Sequence, residues 1–325
     1  MKLWATATAR TGPASILLAA GFAVLFATGT ALADTRMEKT LKLEPGGEFR
    51  IDTDMGKVTV TGTAESGVRV VITSKHKDLD ELLHFRFEEG AGSASIVARK
   101  KHRFSFFGHD GDNVQFEIQL PASTRLSVET SGGGITISGL RDAAKLSTSG
   151  GGISVRDHVG DVDTDTSGGG IRLRDVKGKV RANTSGGGVI AEGIDGPVRA
   201  ESSGGSIELE RVTGDIDAET SGGGIRIEQA GGRVHADTSG GGIEASFAKG
   251  NSKGGTLETS GGGIEVALDP EADLAIEASG NAVRSDLPIR VRGEISRGNL
   301  SGSLGKGGAT LKLHTSGGSV RIQSL

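Results

Sequence analysis

The sequence predicts an all-β chain folded as a parallel β-solenoid (β-helix) of about 18 residues per coil with an N-terminal β cap, and three observations predict it. The first is a repeat. Ser-Gly-Gly-Gly-Ile, with Val once for Ile, begins at Ser131, Ser149, Ser167, Ser185, Ser221, Ser239 and Ser260, and degenerate copies stand at Ser203, Ser279 and Ser316. Every step from Ser131 to Ser239 is 18 residues, a period at which one small unit stacks on itself. The second is alternation within the repeat, which has the period of strands with one buried face. The third is composition. Gly and β-branched residues dominate and no 3.6-residue stripe appears, which excludes a helical repeat.

Each coil reads as two short strands. With the Ile after the glycines at position 0, Ile171, Leu173 and Val176 stand at 0, +2 and +5, and Val180, Ala182 and Thr184 at +9, +11 and +13. Ile207, Leu209, Val212, Ile216, Ala218 and Thr220 repeat the pattern. A turn falls near +7, often at Gly (Gly178, Gly196, Gly214, Gly232), and the triple glycine makes the other turn, where positive φ and close backbone approach are expected. Stacking at roughly 4.8 Å per level aligns like side chains in columns. The +13 Thr column (Thr130, Thr148, Thr166, Thr184, Thr220, Thr238, Thr259) and the motif Ser column (Ser131, Ser149, Ser167, Ser185, Ser203, Ser221, Ser239, Ser260) are expected to form structural hydroxyl ladders.

The array loosens at its end. The steps from Ser239 to Ser260 and from Ser260 to Ser279 are 21 and 19 residues, and the three extra residues of the first fit the Lys249–Gly255 loop. Near the N-terminus, Ile51–Gly62 aligns without gaps on Val128–Gly139, so a first coil precedes the array. Between them lie alternating stretches at Val68–Thr73, His84–Phe87, Ala94–Ala98 and Val114–Leu120, and seven of the ten Phe fall between Phe49 and Phe116. This block is expected to cap the N-terminal strand edges. The chain divides as 1–33 secretory signal, 34–127 N-terminal β region and 128–325 repeat solenoid.

The order of these units resembles a known group. Leu43-Glu-Pro-Gly-Gly-Glu-Phe-Arg-Ile51, Gly56-Lys-Val-Thr-Val-Thr-Gly62, Phe116-Glu-Ile-Gln-Leu-Pro121 and the serial Thr-Ser-Gly-Gly-Gly-Ile units are similar to the bacterial putative-adhesin family of β-strand-repeat proteins, of unknown function. The resemblance spans nearly the whole chain after residue 33. It implies a parallel β-solenoid on exported bacterial proteins and brings no functional residues to carry over.

Residues 1–33 read as the export signal: Lys2 and Arg10 in a basic leader, an apolar run from Ile16 to Phe26, then Ala31-Leu32-Ala33. The run is short for a membrane span, which needs about 20 apolar residues. An exported location, periplasmic or extracellular, is expected, with no membrane span after signal cleavage. Residues 34–325 hold 35 basic and 41 acidic side chains, a net −6 that gives no footprint for nucleic acid. Cys is absent, so no disulfide framework exists, and Trp and Tyr are absent after residue 33, removing the usual sugar-stacking and interface anchors.

Chemistry is sought in the outward columns. Position +12 reads Asp165, Asn183, Glu201, Glu219, Asp237, Glu258 and Glu277, carboxylates brought to about 5 Å spacing. Their repulsion calls for a partner. That is either a weakly held calcium ion on the column Asp165, Glu201, Glu219, Asp237, Glu258, Glu277, or the cations Arg181, Arg199 and His235 at +10. No other cofactor is expected. His102, His109, Asp110, Asp112 and Asn113 form a second cluster, read as a solvated hairpin loop. No nucleophile elbow, zinc-protease helix or phosphate loop occurs in the sequence. The expected function is therefore an exported, non-enzymatic cell-envelope structural or adhesin-like binding module, with an envelope polymer or protein as partner. The alternative is a β-helix enzyme acting on an acidic polysaccharide. The last repeat, Thr315–Leu325, is expected to leave an uncapped strand edge open to weak end-to-end self-association.

Overall fold

A bend inside each coil decides which side chains face the core. Along the chain, β1 (Thr35–Leu41), β2 (Glu48–Thr53), β3 (Lys57–Thr63), β4 (Val68–Ser74), a four-residue helix α1 (Leu79–Leu82), β5 (Leu83–Gly90), β6 (Ser93–Lys100) and β7 (Val114–Pro121) come first. The repeats follow as β8 (Arg125–Thr130), β9 (Ile135–Ser138), β10 (Ala144–Thr148), β11 (Ile153–Val159), β12 (Val162–Thr166), β13 (Ile171–Lys177), β14 (Val180–Thr184), β15 (Val189–Asp195), β16 (Val198–Ser202), β17 (Ile207–Val212) and β18 (Ile216–Thr220). They continue as β19 (Ile225–Ala230), β20 (Val234–Thr238), β21 (Ile243–Phe247), β22 (Gly255–Thr259) and β23 (Ile264–Leu268). The chain closes with β24 (Leu274–Ser279), β25 (Val283–Ser285), β26 (Arg290–Val291), β27 (Asn299–Leu304), β28 (Ala309–Thr315) and β29 (Val320–Ser324). This computed structural model describes residues 35–75, 78–101, 114–292 and 296–325. The expected signal at 1–33 and the His102–Asn113 cluster lie outside the described residues.

In β13, Ile171 and Leu173 point inward, Arg174 and Asp175 both point outward, and Val176 points inward again. Simple alternation would send Val176 to solvent. The residue at +4 absorbs the mismatch by taking a left-handed conformation: Asp157, Asp175, Arg211 and Gln229 have φ of 50°, 54°, 53° and 55°, and Gly139 and Gly193 occupy the same place with φ of 72° and 67°. A strand with such a residue bends and restarts its pleat in the other phase.

Two sheets of 14 and 15 strands result, and they are almost wholly parallel through the repeats. Residues eighteen apart lie side by side: Ile153 pairs with Ile171 and Ile171 with Val189 in one sheet, and Val162, Val180 and Val198 follow one another in the other. The stack is all-β and solenoid-like. Its core is a continuous column of Ile, Val, Leu and Ala between the sheets, with Ile171, Leu173, Val180 and Ala182 all buried.

At both ends the spatial order departs from the chain order. β2 and β3 pair directly with β8 and β9, Ile51 against Val128 and Val58 against Ile135, as the alignment of the two segments predicts. β6 and β7, later in sequence, lie outside them, and the antiparallel strands β4, β1 and β5 lie beyond. The C-terminal end shows the same inversion. β22 and β23 pair with β28 and β29, whose other edges pair with β24 and β25; β27 and β26 then run antiparallel outside β24.

This inversion corrects three sequence expectations. The last repeat is not the open end of the stack, because its strands are paired on both edges. Ser279 is not in the motif register, because it pairs with His314 rather than with Ser316. Glu277 leaves the +12 column for the +10 column, because it pairs with Lys312. The physical reason is closure. A parallel stack ends on unpaired edges, and here antiparallel strands pair outside β7, β6 and β24 while the last coil in sequence fills the level inside β24 and β25.

The buried +13 hydroxyls link the levels through backbone. Thr166 Oγ1 donates to Gly151 O at 2.8 Å and accepts from Gly169 N at 3.3 Å; Thr184 makes the same pair with Gly169 O and Gly187 N, and Ser202 with Gly187 O and Gly205 N. The ladder thus runs hydroxyl to carbonyl rather than hydroxyl to hydroxyl. The motif Ser side chains, from Ser131 to Ser260, are exposed instead.

At +5 a histidine breaks the apolar column. His158 occupies +5, level with Val176, is 1% exposed, and neither ring nitrogen has a hydrogen-bond partner. Burial holds its pKa below the ordinary value, with the carboxylates of Asp142 and Asp161 opposing. The unfolded chain takes up this proton near pH 6.5 and the folded chain only at lower pH. Stability from this group is therefore full above about 6.5 and falls as pH drops from there toward the folded value. His158→Val is expected to raise stability by about 1–3 kcal/mol at pH 7.5, with a larger gain at pH 5, read as urea midpoints at the two pH values.

Candidate functional site

The glycine turn forms a ridge along one side of the stack, flanked by two grooves. Its second glycine has no room for a side chain, so the turn packs backbone on backbone at every level. The first groove, of about 360 Å³, runs beside the motif Ser column. Asp165, Asn183, Glu201, Glu219 and Asp237 line it together with the exposed Ser185, Ser203, Ser221 and Ser239. The +12 column therefore forms one wall, as register demands: Asp165, Asn183, Glu201, Glu219, Asp237 and Glu258 are successive partners in β12 to β22. After Glu258 the column continues to His314, and Glu277 is absent from it.

The second groove, of about 530 Å³, lies where the third glycine leaves space beside position 0. Its charged rim is Glu208, Arg226, Glu244, Glu265 and Arg321, all at +1, with Ser206 and Ser319 standing for the third glycine. Sequence reading passed over this face. The signal was available as a column of mixed charge one position after each Ile.

Cations compensate much of the charge. Arg199 is the hub of the acidic wall: it pairs with Glu201 beside it, with Asp217 of the next level at 2.8 Å and with Glu219 at 3.7 Å. The hydrogen bond from Arg199 to Glu201, with the charges of Asp217 and Glu219, raises the guanidinium pKa above its ordinary value. Lys312 plays the same part at Glu258, 2.8 Å away, and its hydrogen bond holds that carboxyl below the usual range. Across the other sheet, Arg174 and Arg211 clasp Glu192 at 2.8 and 2.6 Å, and Arg226 reaches Glu244 at 2.8 Å. The diagonal compensation expected of Arg199 is present.

Among the described residues, three side chains able to ligate a metal come within reach of one another at one place. Asp217 and Glu219 share the outward face of β18, His235 is the register partner of Asp217 in β20, and one donor atom from each lies within 4.8 Å of the others. Asp217 Oδ1 has no hydrogen-bond partner, while Oδ2 is held by Arg199. Two carboxylates and one imidazole suit a borderline divalent ion better than calcium, whose ligands are all oxygen. Sequence reading placed Glu219 and His235 in separate roles and missed Asp217, because it followed the +12 column alone. The +10 residues of adjacent levels are equally close.

Among curated proteins, none is similar in sequence to this chain. Several solved structures match over most of this chain, three of which follow. A putative adhesin from Parabacteroides merdae is 10% identical over 90% of this chain and 96% of its own, with a TM-score of 0.38. A putative lipid binding protein from Parabacteroides distasonis is 13% identical over 90% and 97%, with a TM-score of 0.34. A putative adhesin from Bacteroides fragilis is 10% identical over 91% and 100%, with a TM-score of 0.30. The model of the Toastrack DUF4097 family matches residues 47–323, from the first coil to the last, and the chain belongs to that family.

Proposed function

We propose that this chain is an exported, non-enzymatic β-solenoid of eighteen-residue coils that serves as a cell-envelope structural or adhesin-like binding module. In this reading residues 1–33 direct export, the antiparallel strands around β5 and β7 cap the rod, and the periplasm or the cell exterior is its location. The carrying observation is the wall of Asp165, Asn183, Glu201, Glu219 and Asp237 with its exposed serines, which offers a carboxylate or amide beside a hydroxyl at every level. A surface that repeats at roughly 4.8 Å fits a ligand that also repeats, and an extended envelope polymer is such a ligand.

The test has two arms. Protein recovered from expressing cells is expected to begin at Asp34 by mass spectrometry and to be found outside the cytoplasm; an intact leader on cytoplasmic protein would remove the export step. Purified protein is expected to co-sediment with isolated envelope polysaccharide without releasing new chain ends. Glu201→Gln with Glu219→Gln should weaken that binding about tenfold, on the order of 1.4 kcal/mol. Release of new chain ends that is lost in Asp165→Asn or Glu201→Gln would instead establish the polysaccharide-active enzyme.

A further inference from the structure

We infer that the C-terminal coil, β28–β29, is an exchangeable insert whose slot accepts the same coil from a second copy of this chain. Topology carries the inference. The walls of the slot, β22–β23 and β24–β25, are both made before residue 286, yet no strand of one pairs with a strand of the other: Leu311 lies between Gly255 and Ile276, and Val320 between Ile264 and Val283. Without the insert, each wall would present a parallel strand edge and an apolar face. Such edges are templates for another chain.

The insert fills that slot with contacts made almost entirely to the walls. Leu311, Leu313, Val320 and Ile322 are buried. Thr315 Oγ1 donates to Gly262 O at 2.6 Å, Asn281 Nδ2 donates to Gly317 O at 2.7 Å, and Lys312 reaches Glu258 at 2.8 Å. A second copy has an identical slot and an identical insert. Exchange therefore preserves every one of these contacts and changes only the turn that leads in from β27. That turn is Gly305-Lys306-Gly307-Gly308, where Gly305 and Gly307 have φ of 58° and 78°. The balance between closed monomer and exchanged dimer then rests on the conformation of this turn and on concentration.

The chain has no cysteine, so two introduced thiols report the exchange without background. Glu258 and His314 are register partners on adjacent strands. The double variant Glu258→Cys/His314→Cys should close within one chain. Full-length Glu258→Cys and His314→Cys, unfolded together in urea, refolded at high concentration and oxidised, are expected to give a disulfide-linked heterodimer. Its yield should rise with refolding concentration, and rise several-fold further when Lys306 and Gly307 are deleted so that the turn cannot fold back. Absence of the heterodimer while the double variant closes would overturn the inference. So would a strictly monomeric mass, by light scattering, for the cysteine-free chain lacking Lys306 and Gly307.

Discussion

Gly169→Ala is expected to destabilise the fold by about 3 kcal/mol, the upper part of the range for overpacking, while Gly170→Ala changes it by less than about 1 kcal/mol. The two positions are neighbours in one turn, and only at the first does backbone stand too close for a side chain. A Cβ on Gly169 would stand 2.0 Å from Gly151 O and 2.3 Å from its carbonyl carbon. Neither atom can move without moving the coil below, which meets the same constraint one level further down: a Cβ on Gly151 would stand 2.3 Å from Gly133 O. A Cβ on Gly170 would stand 3.2 Å from Gly188 O, close but adjustable. The chain already makes this distinction, since the third glycine is replaced by Ser206 and Ser319 whereas Gly205 and Gly318 keep the second. Urea unfolding of both variants decides it, because the midpoint should fall for Gly169→Ala alone. Equal midpoints would show that the turn flexes as a unit.

Thr184→Val is expected to cost about 2 kcal/mol, and Thr184→Ser no more than about 1 kcal/mol for one buried methyl. Shape and strand propensity favour Val, so a loss must come from hydrogen bonding. Thr184 Oγ1 donates to Gly169 O at 2.7 Å and accepts from Gly187 N at 3.2 Å, and the residue is 6% exposed. Valine leaves that carbonyl and that amide, both half-buried, without the hydroxyl. Serine retains both bonds, as Ser202 does one level on at 2.8 and 2.9 Å. Thermal melts of the two variants separate the hydroxyl from the methyl. A valine variant as stable as the parent would assign the column to packing alone.

The coil was legible because its causes are local and repeated. Inward positions such as Ile171, Leu173, Val180 and Ala182 recur at one spacing, and stacked strands leave one register that buries them all. The bend at +4 was not legible. Asp175, Arg211 and Gln229 look like ordinary surface residues, and their left-handed backbone exists because the next inward residue must reach the core. The acidic wall was legible from Asp165 to Glu258, where counting along the chain and counting up the stack agree. It failed at Glu277, where they part. Asp217 with His235 was hidden for a related reason: the two are neighbours only across levels, at a position where the column itself reads Arg199, Asp217, His235 without pattern.

By itself, the sequence determined the repeat unit, its two strands, the inward and outward faces and the close-packed glycine turn, because each follows from side-chain size and polarity at a fixed period. Tertiary structure alone decided the order of coils at the two ends and the enclosure of the last coil. Those depend on which strand edge is covered by which segment. Edge pairing is made by backbone groups that every residue carries, so the sequence marks the strands without marking their neighbours.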